Sequence, residues 1–163
     1  MNSVRSLTIY LNDHRAGAAA GTALARRLWR KNRSGPWASQ LKDIHKSIEA
    51  DMASLDEIRV SVGATGGELG RLGALMFERA SRLKPNGRLV GYSPLSRVLE
   101  LEILISGVQS KLRLWSALHL STAALPDLVP FDFVALGEQA AAQLETLREI
   151  HEWAVTQAFR PLT

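Results

Sequence analysis

Cysteine is absent from the 163 residues. That excludes a disulfide framework, a thiolate nucleophile and any Cys-ligated zinc or iron–sulfur site, and it fits a reducing compartment, so a cytoplasmic protein is expected. Long apolar runs are also missing. A transmembrane helix needs ~20 mostly apolar residues, and the best stretch, Leu95 to Leu120, is interrupted by Arg97, Glu100, Glu102, Lys111 and Arg113. No membrane span is therefore expected. The apolar stretch after Arg5 stops at Asn12, Asp13, His14 and Arg15, which is no signal-peptide core. Period-two alternation is lacking, so no strands are expected, and no fixed-period repeat points to a solenoid.

What remains describes one folded unit. The chain is 46% hydrophobic and 22% charged, which suits a soluble globular protein and is too apolar for intrinsic disorder. Residues 1–163 fall within the size of one domain built on one core. Twenty Lys and Arg against sixteen Asp and Glu leave a formal charge of +4, a balance that permits an anionic partner without requiring one.

Apolar residues recur at helical spacing in four long segments. From Val4 to Asn32 the stripe is Leu7, Leu11, His14, Ala18, Gly21, Ala25 and Leu28. Ser34, Gly35 and Pro36 break it, and Pro36 suits the first turn of a second helix. That helix carries Leu41, Ile44, Ile48, Met52, Leu55, Ile58 and Val62, after which Gly63, Gly66 and Gly67 end it. Thr65 and Glu68 form a capping-box pattern that opens a shorter helix to about Lys84, followed by a loop, Arg88 to Tyr92, that covers the end of the core. Ser93 as N-cap and Pro94 at the first helical position begin the next long helix, with Val98, Leu101, Ile105, Val108, Leu112, Trp115 and His119 inward. Asp132 caps the last one, whose stripe is Val134, Ala140, Leu144, Leu147, His151, Ala154 and Ala158. The expected fold is all-α, a four-helix bundle with one shorter connecting helix. Two topologies satisfy the pattern: up-down-up-down, or a ferritin-like arrangement in which Gly63 to Pro94 crosses the length of the bundle.

The four histidines fall one on each long helix, at His14, His45, His119 and His151. Imidazoles on inward stripes are where bundles build metal sites, and Asp13, Glu49 and Glu149 are sequence neighbours. Glu102 is expected on the buried side of its helix, where its carboxylate needs a partner. Helical rise puts His14 and His151 at ~14 and ~13 Å from one end of an up-down-up-down bundle. A crossover instead levels His45 with His151, at ~29 and ~27 Å. The Glu-x-x-His pair of di-iron bundles is missing, since Arg148 stands three before His151 and Lys42 three before His45. Buried or helix-capping histidines are the simpler reading. The metal-site reading names His14, His151, Asp13 and Glu149, then His45, His119 and Glu102, with iron, manganese or zinc as the ion.

Gly17, Ala18, Ala19, Ala20 and Gly21 form a small-residue patch in which each Gly costs about 1 kcal/mol of helix propensity relative to Ala. Close packing by a neighbouring helix or a second subunit explains it most simply, with room for a ligand as the other reading. Gly17, Ala18 and Gly21 are accordingly expected at a homodimer interface. Arg26, Arg27, Arg30, Lys31 and Arg33, with Trp29 and Trp37, make a basic end that could hold an anion. Complementing the helix dipole and covering an exposed Trp explain it as well, so nucleic-acid binding is not the expected role. Gly63 to Gly73 lacks the Gly-Lys-Ser/Thr ending of a phosphate loop, and no Gly-x-Ser-x-Gly elbow occurs. The acidic series Glu138, Glu145, Glu149 and Glu152 reads as a solvated face.

Tyr10 to His14, Ala16 to Gly21, Gly107-Val108 and Lys111 to Trp115 resemble an uncharacterised group of bacterial helical-bundle proteins. The organisation, two long hairpins joined by a connecting segment, is similar to ferritin-like bundles. That resemblance implies the fold, with no settled activity, and no ferritin catalytic residue carries over because the Glu-x-x-His positions are not matched. The expectation is a non-enzymatic, self-associating bundle that binds a partner. The alternative is a ferritin-like metal-binding or redox bundle using buried His and carboxylates.

Overall fold

The computed structural model describes residues 3–65 and 92–160. Among these residues the chain forms four long helices and no strand: α1 (Ser3–Lys31), α2 (Ala38–Ser61), α3 (Pro94–Ser121) and α4 (Phe133–Ala158), with a 3-10 turn at Pro126–Leu128 between the last two. The short helix expected after Thr65 lies outside the described residues, as do Leu89 and Val90 of the expected covering loop.

Local chemistry sets the helix ends. Ser93 accepts a hydrogen bond from the Ser96 amide at 3.1 Å, with Pro94 directly inside the helix. Asp132 accepts from the Ala135 amide at 2.9 Å. Each side chain satisfies one of the donors that a helix start leaves open. At the end of α2, Gly63 adopts φ +69°, and the amides of Gly63 and Ala64 turn back to the carbonyls of Val60 and Arg59. This is a Schellman closure, which needs a residue comfortable in the left-handed region. Helix α2 starts at Ala38 rather than at Pro36, because Gly35, Pro36 and Trp37 are spent on a turn.

One core cluster draws on all four helices, through residues such as Leu11 and Leu28 on α1, Leu55 and Ile58 on α2, Leu101 and Leu118 on α3, and Leu147 and Ile150 on α4. Several expected stripe members lie elsewhere. Glu102, Val134 and His119 are exposed, and the neighbouring Glu100, Phe133 and Leu118 are buried in their stead. A stripe read at a fixed 3-to-4 spacing drifts by one residue when the helix rolls against two neighbours at once.

Side-chain pairs define the directions. Arg59 meets Asn12, and Trp29 stacks on His45, so α1 and α2 are antiparallel. Arg27 near the end of α1 reaches Glu100 near the start of α3, so these two are antiparallel as well. Arg97 lies over Trp153 while Trp115 faces Phe133, which makes α3 and α4 antiparallel. Helices α2 and α3 therefore run the same way. The chain leaves α2 where Ser61 bonds the Asp127 carbonyl, and it re-enters at the opposite end, where Tyr92 meets Asn32. Val62 and Ser93 therefore stand at opposite ends of the bundle, and α2 and α3 do not alternate in direction as the up-down-up-down topology requires. Helix α1 packs on α2 and α3, and α4 packs on the same two from the other side. Among the described residues no helix is long and apolar enough to cross a membrane.

Candidate functional site

Helices α1, α2 and α3 line a partly open cavity of about 80 Å³. Its α1 wall is the small-residue patch, including Gly17, Ala18 and Gly21. A Cβ built on Gly17 or Gly21 meets no atom within 4 Å. Among the described residues the patch is therefore not a close contact with a neighbouring helix, one part of the simpler reading of its composition; there these glycines border open space. Gly107 on α3 faces the same cavity and widens it further. By the measure that a water needs about 10–15 Å³, the volume holds about five to eight waters or a small molecule of similar size.

Most of the lining is apolar, with Leu24, Ile48, Met52, Leu55, Leu104 and Val108 among it. Polar residues join at particular points: Asp13 and His14 from α1, Asp51 from α2, and Ser110, Lys111 and Trp115 from α3. Asp51 is 2% exposed and belongs to a buried polar layer. Lys111 Nζ donates to Asp51 Oδ2 and to Gln143 Oε1, and Gln143 Nε2 donates to Asp51 Oδ2 at 2.9 Å and to Ser47 Oγ at 2.7 Å. This layer links α2, α3 and α4 beside the cavity. Burial pushes the Lys111 ammonium below its ordinary pKa, while the Asp51 carboxylate pulls the other way. Among the described residues three polar atoms of cavity-lining side chains are buried without a hydrogen-bond partner: Asp13 Oδ1, Asp51 Oδ1 and Trp115 Nε1. A buried orphan of this kind costs about 1–3 kcal/mol. Burial also lowers the His14 pKa, opposed by the charge of Asp13, and the Tyr10 ring meets that imidazole edge-on at 4.5 Å.

The histidines named from sequence are given separate surroundings. His14 lines the cavity, and His45 is buried, stacked on Trp29 at 5.6 Å with Glu49 Oε2 3.6 Å from its Nε2. His151 Nε2 lies 3.3 Å from Glu102 Oε1, and His119 is exposed at the end of α3. Glu149 is exposed on α4. Because α3 runs with α2 and α4 runs against it, His14 and His151 stand on diagonally opposed helices at different levels. Among the described residues no three His, Asp or Glu side chains come together as a metal-ligating group.

The basic end is divided between internal and exposed roles. Arg27 Nε contacts the Glu100 carboxylate at 2.7 Å, and Arg33 lies over the Trp29 ring at 5.3 Å, whereas Arg26, Arg30 and Lys31 are exposed. Glu100 is fully buried and also accepts from Tyr92 Oη at 3.0 Å. Burial raises the Glu100 pKa against the opposing charge of Arg27. Sequence reasoning missed Asp51, Glu100, Lys111 and Gln143, although a signal was present. Asp51 falls three after Ile48 and four before Leu55, and Lys111 falls three after Val108 and four before Trp115, both positions on the buried side.

Comparison of the chain with protein-family models, with curated proteins and with solved structures finds no match.

Proposed function

We propose that this chain is a non-enzymatic binding bundle whose α1–α2–α3 cavity takes up a small molecule with a compact apolar body. The observation that carries this reading is the open space at Gly17 and Gly21 on the cavity wall. Glycine in a helix interior lowers stability, so two glycines that relieve no close contact within the chain are best accounted for by the room they leave. A concave, largely apolar site with a few polar groups is the usual form of a small-molecule pocket. The absence of cysteine supports a cytoplasmic setting for this role.

The test is NMR titration with benzene, a probe of matching size, on the full chain and on Gly21→Leu. Binding is expected to shift methyl resonances of Met52, Leu55 and Val108 in the parent and to vanish in the variant, with helicity unchanged. Absence of binding to the parent, or equal binding by the variant, would remove the cavity from the function.

The homodimer expected through Gly17, Ala18 and Gly21 concerns the same face, which a helix of a second copy would fill. Sedimentation equilibrium separates the two uses: a dimer that Gly21→Leu dissociates would assign the face to self-association. The ferritin-like metal reading, with iron, manganese or zinc, has its strongest remaining support in the shared direction of α2 and α3, which bundles with one long connection also have.

A further inference from the structure

The cavity carries an imbalance of charge and of hydrogen bonds that narrows what it can hold, granted that it is a ligand site as proposed above. Two carboxylates, Asp13 and Asp51, line it against one ammonium, Lys111, and burial disfavours a charge on His14. Lys111 donates to Asp51 Oδ2 and Gln143 Oε1, and Gln143 donates to Asp51 Oδ2 and Ser47 Oγ. Among the described residues Asp51 Oδ1 and Asp13 Oδ1 are left buried with no donor, against one buried donor without an acceptor, Trp115 Nε1. Open acceptors thus outnumber open donors and negative charge exceeds positive, in a space whose lining is mostly hydrocarbon.

We infer that the ligand is a small organic ammonium ion, an alkyl or alicyclic primary amine of about five to eight non-hydrogen atoms, the size the cavity allows. An ammonium supplies up to three donors and one positive charge, which would serve the spare carboxylate oxygen within its reach and offset the one negative charge left once Lys111 is set against Asp51. Its hydrocarbon body matches Leu24, Met52, Leu55 and Leu104. A neutral molecule of the same shape would fill the volume and leave that remaining charge unneutralised. A carboxylate ligand would place like charges together in an apolar site. A bare metal ion would need three or more ligating side chains in one place, and among the described residues no such group occurs.

The test is calorimetric titration of the full chain near neutral pH with cyclohexylamine and with its neutral counterpart cyclohexanol. Cyclohexylamine is expected to bind at least tenfold tighter. Asp13→Asn, whose Oδ1 has no partner to lose, is expected to remove most of that preference with the fold intact. Asp51→Asn is expected to do the same, and circular dichroism monitors whether it folds. If cyclohexanol binds as well as cyclohexylamine, and Gly21→Leu abolishes both, the cavity reading stands and the amine assignment falls. Loss of neither on Gly21→Leu, or no binding of either compound to the parent, overturns both. A preference that survives Asp13→Asn unchanged in a folded protein removes Asp13 from amine recognition and overturns the two-carboxylate assignment.

Discussion

The Arg27 guanidinium lies 2.7 Å from the Glu100 carboxylate, and the two differ sharply in burial: the Arg side chain is 42% exposed and the Glu side chain 1%. This one pair joins the end of α1 to the start of α3, and with Asn32 and Tyr92 it fixes the end of the bundle where α3 begins.

The asymmetry predicts unequal mutational costs. Arg27→Met leaves a buried carboxylate without its cation and should destabilise the fold by about 1.5–3 kcal/mol. Glu100→Gln removes the buried charge and leaves an arginine that reaches solvent, so its cost should be below about 1 kcal/mol. Urea unfolding of both variants checks the order; a larger loss for Glu100→Gln would show that the pair, rather than the burial of one member, dominates.

Glycine to alanine should change sign with position. Gly63 holds φ +69°, so Gly63→Ala should cost about 1 kcal/mol. Gly21 sits within α1 with nothing within 4 Å of a built Cβ, so Gly21→Ala should stabilise by about 0.5–1 kcal/mol. Thermal unfolding of the two variants beside the parent gives both signs.

The Lys111–Asp51–Gln143 layer should act as a unit. Lys111→Met strands a carboxylate that is 2% exposed, with an expected loss of about 3–5 kcal/mol. Combining it with Asp51→Leu should recover much of that loss, since packed apolar groups often replace a buried ion pair at little cost. A double-mutant cycle in which the two losses simply add would refute the coupling.

Acid sensitivity should run through His14. Its folded-state pKa is lowered below 6.5, chiefly by burial, so the unfolded chain binds the proton more readily. Stability from this group is complete above pH 6.5 and declines as the pH falls through that value toward the lower folded-state pKa. Glu100 acts with the opposite sign: its raised pKa favours the folded state below 4.5, an advantage lost as the pH rises through its folded-state value. Stability curves for His14→Gln and the parent between pH 5 and 8 should converge toward the acid side if His14 is responsible, and should stay parallel if it is not.

Helix number, helix length and most caps were legible in the sequence because they rest on neighbours within four residues. Ser93, Asp132 and Gly63 perform the end-capping that their chemistry predicts. The buried polar layer was harder to see. Asp51, Lys111 and Gln143 occupy core positions, but a stripe read by its apolar members passes over the polar ones. The Gly17–Gly21 patch was noticed for an unexplained loss of helix propensity, and among the described residues no neighbouring helix lies against Gly17 or Gly21 to explain it.

The all-helical class, the four long segments, their ends and the lack of thiol chemistry follow from residue order alone, since each depends on local spacing or composition. Topology, the partners of each histidine and the cavity depended on the tertiary structure. Whether α3 runs with or against α2 is decided by which side chains meet across the bundle, Arg27 with Glu100 and Lys111 with Asp51. A cavity is a property of three helices together, a volume that no one of them encodes.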